Sequence, residues 1–146
     1  MTKEIILYRN VSVTCSEDSM AGTCILNIRY VPKVQTEDMW NELFTFIEQY
    51  IEARVAQNKR IAITLSTLNA HADNYMNYQG IIENIQKYTE HHSSSIVCIV
   101  FLCVQASVRL MINSIAAVYS GVDIPFKVFN NVEDGETYLY EQILNQ

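Results

Sequence analysis

The sequence predicts a single α/β domain over residues 1–146, with a mixed sheet in which an N-terminal β-hairpin precedes a series of βα units. Three observations support this prediction. The first part of the chain alternates apolar and polar residues, as half-buried strands do. Later apolar runs are short and continuous, as in buried parallel strands, and segments of helical period separate them. The length is typical of one domain with one core.

The predicted hairpin rests on alternation in two extended segments. Apolar residues share one face from Val11 to Cys15 and again from Cys24 to Tyr30, and Ile5 to Tyr8 predicts an additional strand. The polar residues from Asp18 to Ala21 predict the turn. Cys15 and Cys24 lie symmetrically about that turn, and an oxidising compartment would favour a bridge between them. Without paired cysteine spacing, reduced thiols are the general expectation.

Three strands are predicted after the hairpin, at Ile61–Leu65, Ile96–Leu102 and Phe126–Phe129. Ile96–Leu102 is the most hydrophobic of them, which predicts a central place in the sheet. Pro125 precedes the last strand and favours a position near an edge, because proline donates no ladder hydrogen bond.

Four helices are predicted between and after these strands. Thr36 and Asp73 are candidate N-caps for the first two helices, and Gly121 favours the end of the third. The last helix is predicted to place Leu139, Ile143 and Leu144 inward. The helices extend over Thr36–Val55, Asp73–Tyr88, Val108–Tyr119 and Val132–Leu144.

Charge and hydropathy exclude several classes of function. The net charge of -6 argues against nucleic-acid binding, which needs clustered Lys and Arg. The chain has no apolar run of the roughly 20 residues that span a membrane, and the apolar start at Ile5 is too short for a signal peptide. A cytoplasmic location is the resulting expectation.

The order of elements resembles that of the STAS domain and the related anti-sigma-factor-antagonist-like proteins, over about Cys24 to Leu144. Within that stretch, Ile61–Leu68 ("IAITLSTL") is similar to the strand and turn that precede the family's functional loop. The segment Ile124–Leu139 ("IPFKVFNNVEDGETYL") resembles the family's last strand and helix. The resemblance implies a STAS-like fold and a role in protein interaction or small-ligand binding.

The chain departs from the family at the site of its phosphorylation switch. Switch members carry Asp-Ser-Ser-Gly at the start of the second helix, and the matching residues here are Asp73, Asn74, Tyr75 and Met76. The acceptor serine of that motif is therefore missing. Ser66, which lies earlier in the chain, or another hydroxyl of the same loop is the alternative acceptor if the protein is a phosphorylated switch.

Candidate ligand-binding residues lie in two loops that follow predicted parallel strands, because the carboxyl ends of such strands meet at one edge of a sheet. The alternative is that these residues cap helices and satisfy backbone groups. The candidates are Ser66, Asn69, His71, Asp73 and Asn74 in the first loop, and Cys103, Gln105, Ser107 and Arg109 in the second.

Cys103 and Arg109 have the C-x5-R spacing of cysteine-dependent phosphatases, in which Arg binds phosphate and a helix N-terminus activates the thiol. Leu102, Ala106 and Leu110 stand where that loop uses His, Gly and Ser or Thr, so the match is partial. His71 and Asp73 lack a well-placed third ligand, and neither a metal nor a cofactor is expected.

These observations predict a non-enzymatic STAS-like regulatory or binding module. Its expected target is a protein partner or an apolar or anionic small ligand near the strand-end loops. Phe46, Leu110 and Ala117 are apolar but lie off the main apolar faces of their helices. They indicate either fully covered helices or a contact patch for a partner or for a second subunit in a homodimer. The alternatives are an enzyme that uses Cys103 and Arg109, and a serine-phosphorylated switch.

Overall fold

Six strands and three helices are defined from end to end in the computed structural model. It describes residues 4–10, 13–30, 37–67, 80, 83, 84, 87, 90–104, 106–118 and 124–145, leaving aside the side chains of 37, 107, 108 and 115–118. The strands are β1 (Ile5–Arg9), β2 (Val13–Met20), β3 (Thr23–Tyr30), β4 (Arg60–Ser66), β5 (Ile96–Leu102) and β6 (Phe126–Phe129). The helices are α1 (Glu37–Ala56), α2 (Ala106–Val118) and α3 (Val132–Leu144).

The strands form one mixed sheet in sequence order, β1-β2-β3-β4-β5-β6. β2 pairs antiparallel with β1 and β3, and β4, β5 and β6 each join parallel to the preceding strand. The predicted α/β class and mixed sheet are thereby confirmed. β5 lies between two strands with all seven of its residues buried, as its apolar sequence predicts. Among the described residues, β6 forms one edge of the sheet.

Part of the predicted second helix is also present. Residues 80, 83, 84, 87, 90 and 91 are helical, within or just after the predicted Asp73–Tyr88 segment. The start of that helix, including its candidate cap Asp73, lies outside the described residues, as do the ends predicted for the first helix at Thr36 and the third at Gly121.

The hairpin turn lies further along the chain than predicted. Ala21 and Gly22 have φ values of 48° and 79°, the positive angles that a two-residue type I′ turn requires at both central positions. Asp18 belongs to β2 and pairs with Ile25. The predicted turn at Asp18–Ala21 is therefore wrong. Asp18 and Ser19 are polar because this end of β2 is half-open to solvent, and such polarity is also typical of a turn.

The changed register also separates the two hairpin cysteines. Cys15 pairs with Ile28, and Cys24 pairs with Ser19, so the two thiols do not face each other across the strands. Both cysteines are buried and neither forms a disulfide. The predicted opposition of Cys15 and Cys24 is therefore wrong.

One side of the sheet, the first face, is covered by α1 and by Ile112 of α2. α1 buries an apolar stripe, and it is fixed to β2 by a polar contact. Tyr50 donates a hydrogen bond to Glu17 Oε2 at 2.6 Å, and Arg54 Nε lies 2.7 Å from the same oxygen. Phe46 is covered by β1, since its ring stacks on Tyr8 with centroids 5.1 Å apart. The buried α1 residues are Trp40, Leu43, Phe44, Ile47, Tyr50 and Ile51.

The opposite side of the sheet, the second face, is covered by α3. Leu139 and Ile143 pack with apolar residues of β3, β4 and β5. A Cβ atom on Gly135 would lie 2.5 Å from Leu102 Cδ2, so the glycine permits the close approach of helix and sheet. Leu144 is 61% exposed, which corrects its predicted inward position. Residue 144 is rotated by about 100° from Ile143, away from the buried stripe.

Candidate functional site

Polar side chains lie on the second face where β2, β3 and β4 extend beyond α3. The register aligns Ser16, Asn27 and Thr64 in one row across the three strands, and Arg29 with Ser66 in the next row. Directly paired residues of a sheet share a face, so all five belong to the second face. Most sheet faces in this position bury apolar residues, and this one presents hydrogen-bonding groups.

A chain of hydrogen bonds orders the first row. Thr64 Oγ1 donates to Asn27 Oδ1 at 2.6 Å, and Asn27 Nδ2 donates to Asp18 Oδ2 at 3.2 Å. Each bond joins neighbouring strands, which holds the three side chains in fixed orientations. The bond from Asn27 uses Asp18 Oδ2. Asp18 keeps its other carboxylate oxygen, Oδ1, as a further acceptor beside this bond.

Arg29, which lies in the second row with Ser66, forms an ion pair with Glu4. Arg29 Nη1 lies 2.5 Å from Glu4 Oε1 and 3.3 Å from Ser16 Oγ, and the Ser16 hydroxyl also donates to Glu4. The hydrogen bond from Ser16, followed by that from Arg29, lowers the pKa of Glu4 below its usual range. Glu4 is therefore ionised near neutral pH and balances the charge of the guanidinium.

A groove of about 220 Å³ separates this polar surface from the first turns of α3. It opens at the carboxyl ends of β3 and β4, where parallel α/β sheets bind ligands. Its floor is apolar and its rim is polar. The lining residues are Asp18, Ile25, Asn27, Arg29, Thr64, Ser66, Val100, Leu102, Val132, Gly135, Glu136, Leu139 and Tyr140.

The electrostatic character of the groove is acidic. Burial raises the pKa of Tyr140, and the nearby carboxylates of Glu136 and Asp18 raise it further. Neither of the two ion pairs found among the described residues involves these two carboxylates. Since Glu4 balances Arg29, the groove has an excess of negative charge.

The structure places only part of the predicted ligand site. Ser66 lines the groove on the second face, and Cys103 belongs to the core of the first face. The two residues that the sequence predicts at one pocket therefore lie on opposite sides of the sheet. Asn69, His71, Asp73, Asn74 and Gln105, together with the side chain of Ser107, lie outside the described residues, and their roles stay predictions.

The geometry of Cys103 and Arg109 differs from that of a phosphate loop. Cys103 is 3% exposed and packs in the first-face core. Arg109 Nη1 donates to the Cys103 carbonyl oxygen at 3.1 Å and to the Val104 carbonyl oxygen. The guanidinium thus satisfies backbone acceptors of its own loop, a structural role that competes with phosphate binding.

The remaining thiols are set deep in the sheet. Burial raises the pKa of Cys15 to about 12 and that of Cys98 to about 12. Thiols with such pKa values are protonated at neutral pH and react slowly as nucleophiles. In the described parts of the chain, no three His, Cys, Asp or Glu side chains are grouped closely enough to hold a metal ion.

No family model and no curated protein matches this chain. The case for a function therefore depends on the chain's own residues. Within the described ranges, none of the helices has the length and apolar character needed to cross a membrane.

Sequence reasoning missed most of the groove. The sequence-based prediction places Asp18 in a turn. It does not include Asn27 and Arg29, because the apolar alternate residues dominate the pattern of the same strand. The signal was available in "CILNIRY" (Cys24–Tyr30): Asn27 and Arg29 share the face opposite to Leu26 and Ile28. Two successive polar positions on the same face of an internal strand indicate that this face is open to solvent or to a ligand.

Proposed function

We propose that this protein is a non-enzymatic STAS-like regulatory module that binds a protein partner through the groove on the second face. The observation that supports this proposal best is the groove itself. It lies at the carboxyl ends of parallel strands, and hydrogen bonds between Thr64, Asn27 and Asp18 order its polar wall. Preordered side chains favour recognition because they lose little conformational entropy on binding.

The arrangement of the strands supports the family assignment within this proposal. Three antiparallel strands, β1, β2 and β3, open the sheet, and β4, β5 and β6 then each join parallel to the preceding strand in sequence order. This order is compatible with the leading hairpin and βα units on which the resemblance rests.

The charge of the groove favours a basic side chain of a protein partner over an anionic ligand. Asp18 and Glu136 offer carboxylates at the rim, and the positive charge of Arg29 is balanced by Glu4. The floor, formed in part by Val100 and Leu139, is apolar. An Arg or Lys side chain fits both properties, since an aliphatic stem covers apolar surface while a cationic head meets carboxylates.

An NMR titration tests this proposal with two small probes, N-acetyl-arginine N-methylamide and inorganic phosphate. The arginine derivative is expected to shift the backbone amide signals of Asn27, Ser66 and Gly135 at millimolar concentration, and phosphate is expected to leave them in place. The double variant Asp18→Asn, Glu136→Gln should weaken the response several-fold. Glu141→Gln is the matched control, because it removes one charge from the exposed side of α3 outside the groove lining.

Two results would contradict the proposal. Shifts of these amides by phosphate alone would assign the groove to an anionic ligand. An equal response of the groove variant and the Glu141→Gln control would show that the arginine probe binds elsewhere.

The serine-switch alternative is favoured by one specific observation. Ser66 pairs directly with Arg29 across the parallel strands β3 and β4, and both line the groove. A phosphate on Ser66 would bring a dianion beside the guanidinium, which binds phosphate by charge-assisted hydrogen bonds. Mass spectrometry of the protein from its native cells tests this alternative. Finding no phosphate between Ile61 and Tyr78 would exclude a switch in the first loop.

A further inference from the structure

We infer that β1 is the pairing edge for a second copy of this chain, which joins the sheet antiparallel about the midpoint between Ile6 and Leu7. This inference does not rest on the function proposed for the groove. It rests on the exposure of β1, on the faces to which its side chains belong and on the charges at its two ends.

β1 carries an unusual apolar surface for an outer strand. Among the described residues it pairs with β2 on one side, and its other edge bears no strand. Ile5 is 58% exposed, Ile6 54% and Leu7 37%. Exposed apolar residues on an open edge form a template for another strand, which proline, charged side chains or a β-bulge can block. β1 has no proline, and the charged residues Glu4 and Arg9 lie only at its two ends.

The apolar residues flank this edge on both faces of the sheet. Ile5 pairs with Glu17, which contacts α1, so Ile5 belongs to the first face. Ile6 pairs with Ser16 and belongs to the second face. A partner that docks on one face would cover only one of these residues. An added strand covers both, because its own side chains alternate between the faces.

A bulge in β1 determines the register of self-pairing. The pairing with β2 shifts between Ile6 and Tyr8, which adds one residue to β1. Tyr8 stacks on Phe46 of α1 and so shares the first face with Ile5, three positions away. A regular strand would place residues three apart on opposite faces.

Glu4 and Arg9, at the two ends of β1, also lie on one face of the sheet, although an odd number of positions separates them. Arg9 pairs with Thr14, whose partner is Arg29, and Glu4 contacts Arg29 and Ser16. Arg9 and Glu4 therefore share the second face. Opposed residues of an antiparallel pair must share a face, so the bulge permits a two-fold register that pairs Ile5 with Tyr8 and Glu4 with Arg9.

This register matches the chemistry in the two outer rows. Ile5 meets the Tyr8 ring of the second copy, an aliphatic–aromatic cross-strand pair of a favourable kind. Glu4 meets Arg9 of the second copy, and two-fold symmetry repeats both pairs. Neither ion pair among the described residues uses Arg9, so its charge is available for this contact. One short strand from each copy gives a small interface, for which we expect a dissociation constant in the micromolar range.

Sedimentation velocity over about 5 to 500 µM protein tests the inference, a range chosen to bracket micromolar affinity. The wild-type mass should rise with concentration from the monomer value of 16.8 kDa toward twice that value. Arg9→Glu should remain monomeric, because it places two carboxylates opposite each other. Glu4→Lys should also remain monomeric, because it opposes Lys and Arg.

An equimolar mixture of the two variants provides the decisive measurement. In a mixed dimer Lys at position 4 faces Glu at position 9, and Glu4 faces Arg9, so association should return to within a few-fold of wild type. Lys127→Glu is the matched control, since it reverses an exposed charge on the opposite edge strand β6. Circular dichroism verifies that each variant is folded.

Each other outcome would overturn the inference. A wild-type protein that stays monomeric over the whole range excludes a second copy as the occupant of the edge. Association lost in Lys127→Glu and retained in Arg9→Glu assigns pairing to β6. A mixture that stays monomeric while the wild type dimerises excludes the Glu4–Arg9 register.

Discussion

Replacing Tyr30 by phenylalanine is expected to stabilise the protein. Tyr30 is 2% exposed, and its ring lies 5.0 Å from that of Trp40. Among the residues that the structure describes, its hydroxyl oxygen has no hydrogen-bond partner. Folding therefore removes this hydroxyl from water without compensation, at a cost of about 1–3 kcal/mol. The lost packing of one oxygen atom opposes the gain by a few tenths of a kcal/mol. The free energy of unfolding should rise by about 1 kcal/mol.

Tyr50→Phe is the matched control because Tyr50 lies in the same core with only 5% exposure. Its hydroxyl differs in donating to Glu17 Oε2 at 2.6 Å. A hydrogen bond to a charged acceptor contributes about 1.5–3 kcal/mol. Glu17 retains its contact with Arg54 in the variant, so the free energy of unfolding should fall by about 1–2 kcal/mol.

Urea unfolding followed by circular dichroism and by the fluorescence of Trp40, the only tryptophan, measures both variants. In thermal unfolding of a chain of this length, the Tyr30→Phe melting temperature should rise by about 3 °C. A Tyr30→Phe variant that is less stable than wild type by 1 kcal/mol or more would refute the reasoning. That result would require the hydroxyl to have a hydrogen-bond partner in solution.

Three further predictions follow from burial and packing. All four cysteines are buried, so Ellman's reagent at pH 8 should label them at the rate of unfolding, whereas rapid labelling of Cys103 that phosphate slows would support the phosphatase alternative. Burial raises the pKa of Cys15 and Cys98 to about 12, above the value near 8.5 of an unfolded thiol. The unfolded state therefore loses these protons first as the pH rises. The free energy of unfolding should be unaffected by the two thiols below about pH 8.5 and should fall as the pH rises toward 12. Urea midpoints at pH 8 and pH 10 should show this decline, Cys98→Ala should reduce it, and an unchanged wild-type midpoint would argue against it. Gly135→Ala should cost about 1–3 kcal/mol, since its Cβ would lie 2.5 Å from Leu102 Cδ2. The double variant with Leu102→Val should be more stable than the sum of the single changes, and strict additivity would exclude this contact as the cause.

The fold was predictable where one physical signal dominates. The strand Phe126–Phe129 and the helix Val132–Leu144 have the bounds that the sequence predicts. Asn131, whose side chain accepts a hydrogen bond from the Asp134 amide, begins that helix. The fully apolar run of β5 likewise allows only a strand buried on both faces.

The hairpin register was not predictable from the same signals. Asp18 and Ser19 have the polarity of turn residues, but β2 continues through them because its outer part lies half-open to solvent. Ala21, a residue that rarely adopts positive φ, begins the turn instead. The pairing of β2 with β3 continues as far as Met20, and this pairing outweighs the local turn preference of Asp18 and Ser19. The resulting shift moved Asp18 from the predicted turn to the wall of the groove.

The candidate site was less predictable than the fold because it depends on which strand face a helix leaves uncovered. Periodicity indicates that Asn27 and Arg29 share a face, but only the position of α3 shows that this face stays open beside them. The same limit applies to β1, whose bulge brings Glu4 and Arg9 to one face against the period of a regular strand. Glu4 joins these two features, since it pairs with Arg29 beside the groove and lies opposite Arg9 of a second copy in the inferred register.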